Sequence, residues 1–147
     1  MFQVKPIGII HSLYKTEAEC PPQGKSGQAE IEIFKQYEDG LKDIEGFSHV
    51  HLFYWLHKSN HFTLSVKTPW DSVPHGLFTT RTPNRPNPVG YSAIEIVSRK
   101  GNTIMVKGMD AMDGTPVFDI KPYIPSLDAK PQAKNGWLSG KKVGGER

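Results

Sequence analysis

The sequence predicts an all-β domain of six or seven short antiparallel strands, arranged as a barrel or a sandwich, with very little helix. Three observations carry this. Proline (12) and glycine (14) are spread through the 147 residues and cut the chain into pieces too short for long helices. Several pieces alternate apolar and polar residues with the period of two that a half-buried strand requires. The length, with 37% hydrophobic and 10% aromatic residues, suits one ordinary domain with a core, which excludes a disordered or fibrous chain and a separate cofactor lobe.

In chain order, Ala29, Ile31 and Ile33 alternate with Gln28, Glu30 and Glu32 as one strand. Residues 39–47 are the one helical stretch, with Leu41 and Ile44 three apart and Gly46 as its stop. The run from His49 to His57 is a strand with Val50, Leu52, Tyr54 and Leu56 on one face. Its other face carries His49, His51, Phe53, Trp55 and His57, so both sides of this strand are expected to be covered. Phe62, Leu64 and Val66 alternate in the next strand. Residues 92–99 and 103–108 read as a hairpin closed by Lys100-Gly101-Asn102, and Asp113-Gly114-Thr115-Pro116 turns the chain into a strand at Val117 to Ile120. Residues 1–125 thus form one domain. Residues 126–147 read as a basic tail, with Lys130, Lys134, Lys141, Lys142 and Arg147 against Asp128 and Glu146, pinned by Trp137.

Composition bounds function as well. The net charge of +3 and pI near 8.9 permit a polyanionic partner without demanding one. A single cysteine, Cys20, excludes an internal disulfide and a multi-thiolate zinc site, and it fits a reducing cytoplasm. The longest apolar run, Leu52 to Leu56, falls far short of the ~20 residues that span a bilayer. Met1 to Pro6 has none of the regions of a signal peptide, so a cytoplasmic protein is expected.

Two common motifs fail. Gly24-Lys25-Ser26 ends like a phosphate-binding loop, but position 19 is Glu19 where a glycine is needed, and a strand follows where a helix is required. No glycine-rich fingerprint follows a strand, so no dinucleotide-binding half is present. His49, His51, His57 and His61 are close enough in register for a metal site, but no Asp or Glu falls within the run to complete it. A His-rich metalloenzyme is therefore the weakest of the alternatives, and no metal ligand is assigned.

The densest signal is Gly76-Leu77-Phe78-Thr79-Thr80-Arg81-Thr82-Pro83-Asn84-Arg85-Pro86-Asn87-Pro88-Val89-Gly90. Pro83, Pro86 and Pro88 fix φ and bias the residues before them towards extended backbone. The loop is stiff, so Arg81 and Arg85 have little entropy left to lose on binding, and guanidinium groups mounted in this way suit bidentate recognition of carboxylate or phosphate. The same stiffness suits a plain connector with solvated arginines. Residue chemistry alone leaves both open.

Gly76 to Asn87 closely resembles the signature of the TsaA-like family, typified by the TrmO tRNA methyltransferases. Gly46-Phe47-Ser48-His49-Val50 through Tyr54-Trp55-Leu56-His57 is similar to the family's second block, and Asp113 to Tyr123 to its third. Pro6-Ile7-Gly8-Ile9-Ile10-His11-Ser12 fits the family's opening. The resemblance covers roughly residues 5–125. It implies a small β-barrel that binds S-adenosyl-L-methionine without a Rossmann fold and works as a homodimer. The implied activity is methylation of N6 of threonylcarbamoyladenosine at position 37 of tRNA.

By the same resemblance, cofactor contacts fall to Pro21, Pro22, Gln23, His57, Lys58, Arg81, Tyr91, Phe118, Asp119, Ile120 and Lys121. Pro22 stands where the family commonly has arginine, and Tyr91 where it has leucine. Methyl transfer from a sulfonium needs an apolar wall for adenine, a cation for the carboxylate and an acceptor for the departing proton. Tyr91, Phe118 and Leu56 suit the wall, while Lys58, Arg81 or Lys121 suits the carboxylate. Asp119 and His57 suit the proton, with Asp119 and Arg81 taken as the catalytic pair. Asp119 pairing with Arg81 or Lys121, and His57 bonded to a loop, are the plain structural readings of the same residues. Exposed aromatics at Phe53, Trp55 and Trp70 point to a partner subunit. A non-catalytic RNA- or nucleotide-binding barrel is the principal alternative function.

Overall fold

The structure is a computed structural model that describes residues 1–20 and 27–143. Its strands are Gly8–His11 (β1), Gln28–Ile33 (β2), His49–Trp55 (β3), Ser65–Thr68 (β4), Asp71–Gly76 (β5), Val89–Lys100 (β6), Thr103–Lys107 (β7) and Pro116–Pro122 (β8). Six of them form one antiparallel sheet in the order β1-β2-β7-β6-β3-β8, and β1 pairs back with β8 to close it into a barrel. β4 and β5 form a separate two-stranded ribbon.

Period-two patterning decides what fills the barrel. Ala29, Ile31 and Ile33 of β2 turn inward, as do Val50, Leu52 and Tyr54 of β3 and Ile104 and Val106 of β7. Ile10, Ile94, Met109 and Val117 complete a core with almost no solvent exposure. Between β3 and β8 the register shifts at Phe53/Tyr54. The extra residue in β8 lets Val117 and Ile120 both pack on the core and leaves Phe118 outside.

The structure corrects the sequence reading in four places. The single helix expected over 39–47 is two short 3-10 helices, Lys35–Leu41 and Ile44–Gly46, separated by Asp43, which has φ of +73°. That left-handed residue cannot continue a right-handed helix. The first hairpin strand runs longer than expected, Val89–Lys100 in place of 92–99, while the second, Thr103–Lys107, stops one residue short, and the two turn through Gly101 at φ +63°. Phe62 and Leu64 precede the strand assigned to them and lie exposed, because β4 begins at Ser65 in the ribbon that stands off the barrel. β1 and β5 were not legible as strands; β5 contains Pro74, which an edge strand tolerates. Among the described residues no helix is long and apolar enough to cross a membrane.

Candidate functional site

Odd-numbered residues of β3 face outward, and the neighbouring strands put aromatic rings beside them. Phe53 pairs in register with Tyr91 of β6, and their rings lie 5.6 Å apart. Phe118 of β8 sits 6.4 Å from both Phe53 and Trp55. His51 stacks on Tyr91 at 5.6 Å and meets Tyr123 at 5.1 Å. The result is a half-buried aromatic strip running up the outside of β6, β3 and β8. The coverage expected for this face of β3 is present in part: His51, Phe53 and Trp55 are half-buried beside the barrel's own rings, while His49 and His57 are exposed.

Hydrogen bonds fix the lower part of the strip. The Asp128 carboxylate can only accept, so His51 donates through Nε2 to Oδ2 at 2.9 Å, and in the neutral ring Nδ1 accepts from the Tyr91 hydroxyl at 2.9 Å. Asp128 closes the short helix Pro125–Asp128 (α1) and also takes the Ile124 amide at 2.8 Å. His51 first, then that amide, holds its carboxyl below the usual range. Partial burial raises the Tyr91 phenol, and the nearby positive charge of Arg81 opposes that rise.

Arg81 is thus electrostatically close to the strip, and its own side chain is exposed. The loop that carries it is braced from inside. Leu77 is 2% exposed and plugs the base of the loop, while Thr80 donates its hydroxyl to the Leu77 carbonyl at 2.8 Å. Arg85 Nη1 donates to the carbonyls of Thr80 at 2.9 Å and Thr82 at 3.2 Å, the two residues that flank Arg81. The guanidinium of Arg85 also lies 5.9 Å from the centre of the Phe78 ring. The sequence reading gave the two arginines the same stiff mounting, and of the two the family resemblance assigned the cofactor to Arg81 alone. In the structure Arg85 is spent on the loop, and Arg81 is the one presented outward.

The remaining predicted positions divide. His57 and Lys58 are exposed on the turn after β3, and the Leu56 amide donates to the Pro88 carbonyl at 2.8 Å, which ties that turn to the end of the Arg81 loop. Lys121 is exposed and lies 3.4 Å from Asp119, whose other oxygen accepts the Ile120 amide at 2.9 Å. The expected Asp119–Lys121 pairing is therefore present. Asp119 also lines a groove of about 530 Å³ with Val50, Tyr37 and Ile7, towards the end of β3 away from His57. Ile120 is half-buried, packs against the core and lines the same groove as Asp119. Pro21, Pro22 and Gln23 lie outside the described residues.

The histidines are dispersed to separate partners. His11 meets Glu32, His49 meets Ser48, His61 meets Asn60 and His75 meets Asp71. Among the described residues no three His, Cys, Asp or Glu side chains gather as a metal site.

One constellation was missed in the sequence. Tyr54, 3% exposed, donates its hydroxyl to Asp110 Oδ1 at 3.2 Å and is 2.9 Å from Ser92 Oγ, which donates to it. Burial drives the Asp110 carboxyl up, with the Tyr54 bond opposing, and burial likewise drives the Tyr54 phenol far above its usual range. The available signal was a lone carboxylate between Met109 and Ala111 in a stretch that reads as core. Gly90 makes the arrangement fit, because the Tyr54 ring lies directly over its α-carbon.

The profile of the tRNA-methyltransferase O N-terminal domain matches residues 9–129. A probable S-adenosyl-L-methionine-binding protein of Archaeoglobus fulgidus is 48% identical over 140 residues, which are 94% of this chain and 38% of that protein. One of Pyrococcus abyssi is 42% identical over 94% of this chain and 77% of its own length. The tRNA (adenine(37)-N6)-methyltransferase of Escherichia coli is 35% identical over 90% of this chain and 62% of its own length. The crystal structure of TrmO from Pseudomonas aeruginosa superimposes with a TM-score of 0.75 at 30% identity, covering 93% of this chain and 62% of that one. The chain thus spans between about a third and three quarters of these relatives. On the profile match, the identities and the shared barrel, it belongs to the tRNA-methyltransferase O N-terminal domain family.

Proposed function

We propose that the protein is an S-adenosyl-L-methionine-dependent tRNA methyltransferase that acts on N6 of adenine 37, with threonylcarbamoyladenosine as the preferred nucleoside. The observation that carries this reading is the pairing of a stiffly mounted, outward Arg81 with a half-buried aromatic strip. The names of the relatives support the cofactor and methylation at N6 of adenine 37, and the threonylcarbamoyl group comes from the family resemblance alone.

The residues fit the cofactor. Tyr91, Phe118 and Phe53 present ring faces and edges of the kind on which a purine stacks. Arg81 offers the planar fork that a carboxylate takes through two parallel bonds, with Lys58 and Lys121 as the other exposed cations. When bound, S-adenosylmethionine supplies an electrophilic methyl group. The chain's own part is to hold the acceptor nitrogen in line with it and to take up the proton that nitrogen sheds. Asp119 and His57 are the two proton acceptors in this reading. His57 shares the barrel end of the Arg81 loop, and Asp119 faces the Val50 end. Comparing His57→Ala with Asp119→Asn under single turnover therefore tells which end carries the reaction.

The active form in this reading is a cytoplasmic homodimer. Trp70 is 41% exposed and Phe78 74%, which is apolar surface that a second copy would cover. The test is direct: incubate the purified chain with S-adenosylmethionine and tRNA from cells lacking the modification, then analyse the nucleosides by mass spectrometry. A methyl group on N6 of position 37 supports the reading. Cofactor binding without methylation, with RNA still bound, would favour a non-catalytic RNA-binding barrel.

A further inference from the structure

Beyond residue 129 the chain leaves the segment that the family profile matches, yet it comes back to the β4–β5 ribbon and the turn that follows it, and makes specific contacts there. Trp137 lies in the short 3-10 helix Gly136–Leu138. Its indole stacks on His75 of β5, with centroids 3.8 Å apart and planes within 8° of parallel. Its Nε1–H donates to both oxygens of Thr79, the carbonyl at 3.2 Å and the hydroxyl at 3.1 Å. His75 is itself held by Asp71 at 3.0 Å.

These contacts fall where the loop needs support. Among the described residues β4 and β5 pair only with each other, and an isolated two-stranded ribbon is marginal in water. Thr79 stands two residues before Arg81. Its hydroxyl donates to the Gly76 carbonyl at 2.8 Å, so a pull on Thr79 moves the whole turn from β5 into the loop. Arg85 braces the far side of Arg81 through Thr80 and Thr82. The indole braces the near side.

We propose that Trp137 is a positioning residue for Arg81: it clasps the β4–β5 ribbon to the start of the signature loop and so sets where the guanidinium stands. The proposal rests on the role of Arg81 given above, and it assigns to the basic segment after residue 129 a part in that site. It touches neither cofactor nor nucleoside and acts through Thr79. Trp137→Phe keeps a ring on His75 and loses the N–H donor; Trp137→Ala loses both.

Two measurements on the full chain test it. In hydrogen exchange, the Leu77 and Thr80 amides of Trp137→Ala should exchange at least about five-fold faster than in wild type, the effect of losing roughly one hydrogen bond, while β3 and β6 keep their rates. Unchanged exchange at Leu77 and Thr80 would overturn the clasp whatever the enzyme does. In single-turnover methylation of tRNA, Trp137→Ala should slow the reaction about five-fold or more, with Trp137→Phe between it and wild type. In an Arg81→Ala background the same substitution should change the rate less than about two-fold, because residues acting as one unit are not additive. An equal loss in both backgrounds would overturn the coupling to Arg81. A wild-type chain that methylates no tRNA would sink the functional reading alone, and the exchange rates would still decide the clasp.

Discussion

Gly90→Ala should damage this protein far more than a single methyl group suggests. Gly90 lies opposite Tyr54 in the β3–β6 register, and a β-carbon there would stand 2.8 Å from Tyr54 Cζ and closer still to Cδ2 and Cε2. Real side chains do not approach so closely, so the ring must move. Forced repacking of a full core costs about 1–3 kcal/mol. Moving the ring also takes the Tyr54 hydroxyl from Asp110, and a buried acceptor left without its partner costs about 1–3 kcal/mol more. At ~2–4 °C per kcal/mol for a chain of this size, Tm should fall by at least about 4 °C and by as much as about 24 °C. Gly40→Ala is the control, since nothing lies within 4 Å of its added carbon, and it should shift Tm by no more than about 2 °C. Thermal unfolding followed by circular dichroism reads both. A Gly90→Ala protein that melts within 1 °C or so of wild type would refute the reasoning, as would an equal loss in a Tyr54→Ala background, where the clash is gone.

Three further outcomes are expected. Because the folded protein holds the Asp110 proton more tightly than the unfolded chain, its contribution to stability is full below the unfolded carboxyl's pKa and is lost as pH rises through the folded one. Asp110→Asn should therefore melt higher than wild type near pH 8 and no higher near pH 3.5; a gain of the same size at both would contradict the burial argument. Arg85→Ala removes the bonds to Thr80 and Thr82 and should lower Tm by about 2–6 °C while weakening S-adenosylmethionine binding in calorimetry; unaltered affinity would separate the brace from the site. If Lys130, Lys134, Lys141 and Lys142 meet tRNA phosphates, replacing all four by glutamine should flatten the slope of log affinity against log salt by up to about 3. An unaltered slope would assign the phosphates to the barrel face.

Much of the barrel was legible because its patterning is local. Residues 28–33 and 49–55 alternate strictly, and their inward sets are the ones the alternation names. The helix over 39–47 was misread because apolar spacing records which residues turn inward but not that Asp43 leaves the right-handed region. The ribbon escaped for a different reason. Phe62, Leu64 and Val66 do alternate, but the trace only overlaps β4, and β5 has no alternation because its Val73 is exposed and Pro74 interrupts it. At the site, the stiffness of the loop could be read from the prolines, and Arg81 was singled out by the family resemblance. The different fate of Arg85 could not, since it depends on which carbonyls the folded loop brings within reach of its guanidinium. The Tyr54–Ser92–Asp110 cluster joins three segments up to 56 residues apart, and no local pattern encodes that meeting.

The measurement closest to the central claim pairs Tm with single-turnover methylation of tRNA for wild type, Arg81→Lys and Arg81→Ala. Arg81 is exposed and lies outside the buried core, so both variants should still unfold in one cooperative transition. Lysine keeps the charge but loses the planar fork, so both should slow methylation by about ten- to hundred-fold, the worth of one charge-assisted hydrogen bond of ~1.5–3 kcal/mol. Near-normal turnover in Arg81→Lys would contradict bidentate recognition, and normal turnover in both variants would contradict any role for Arg81 in the reaction.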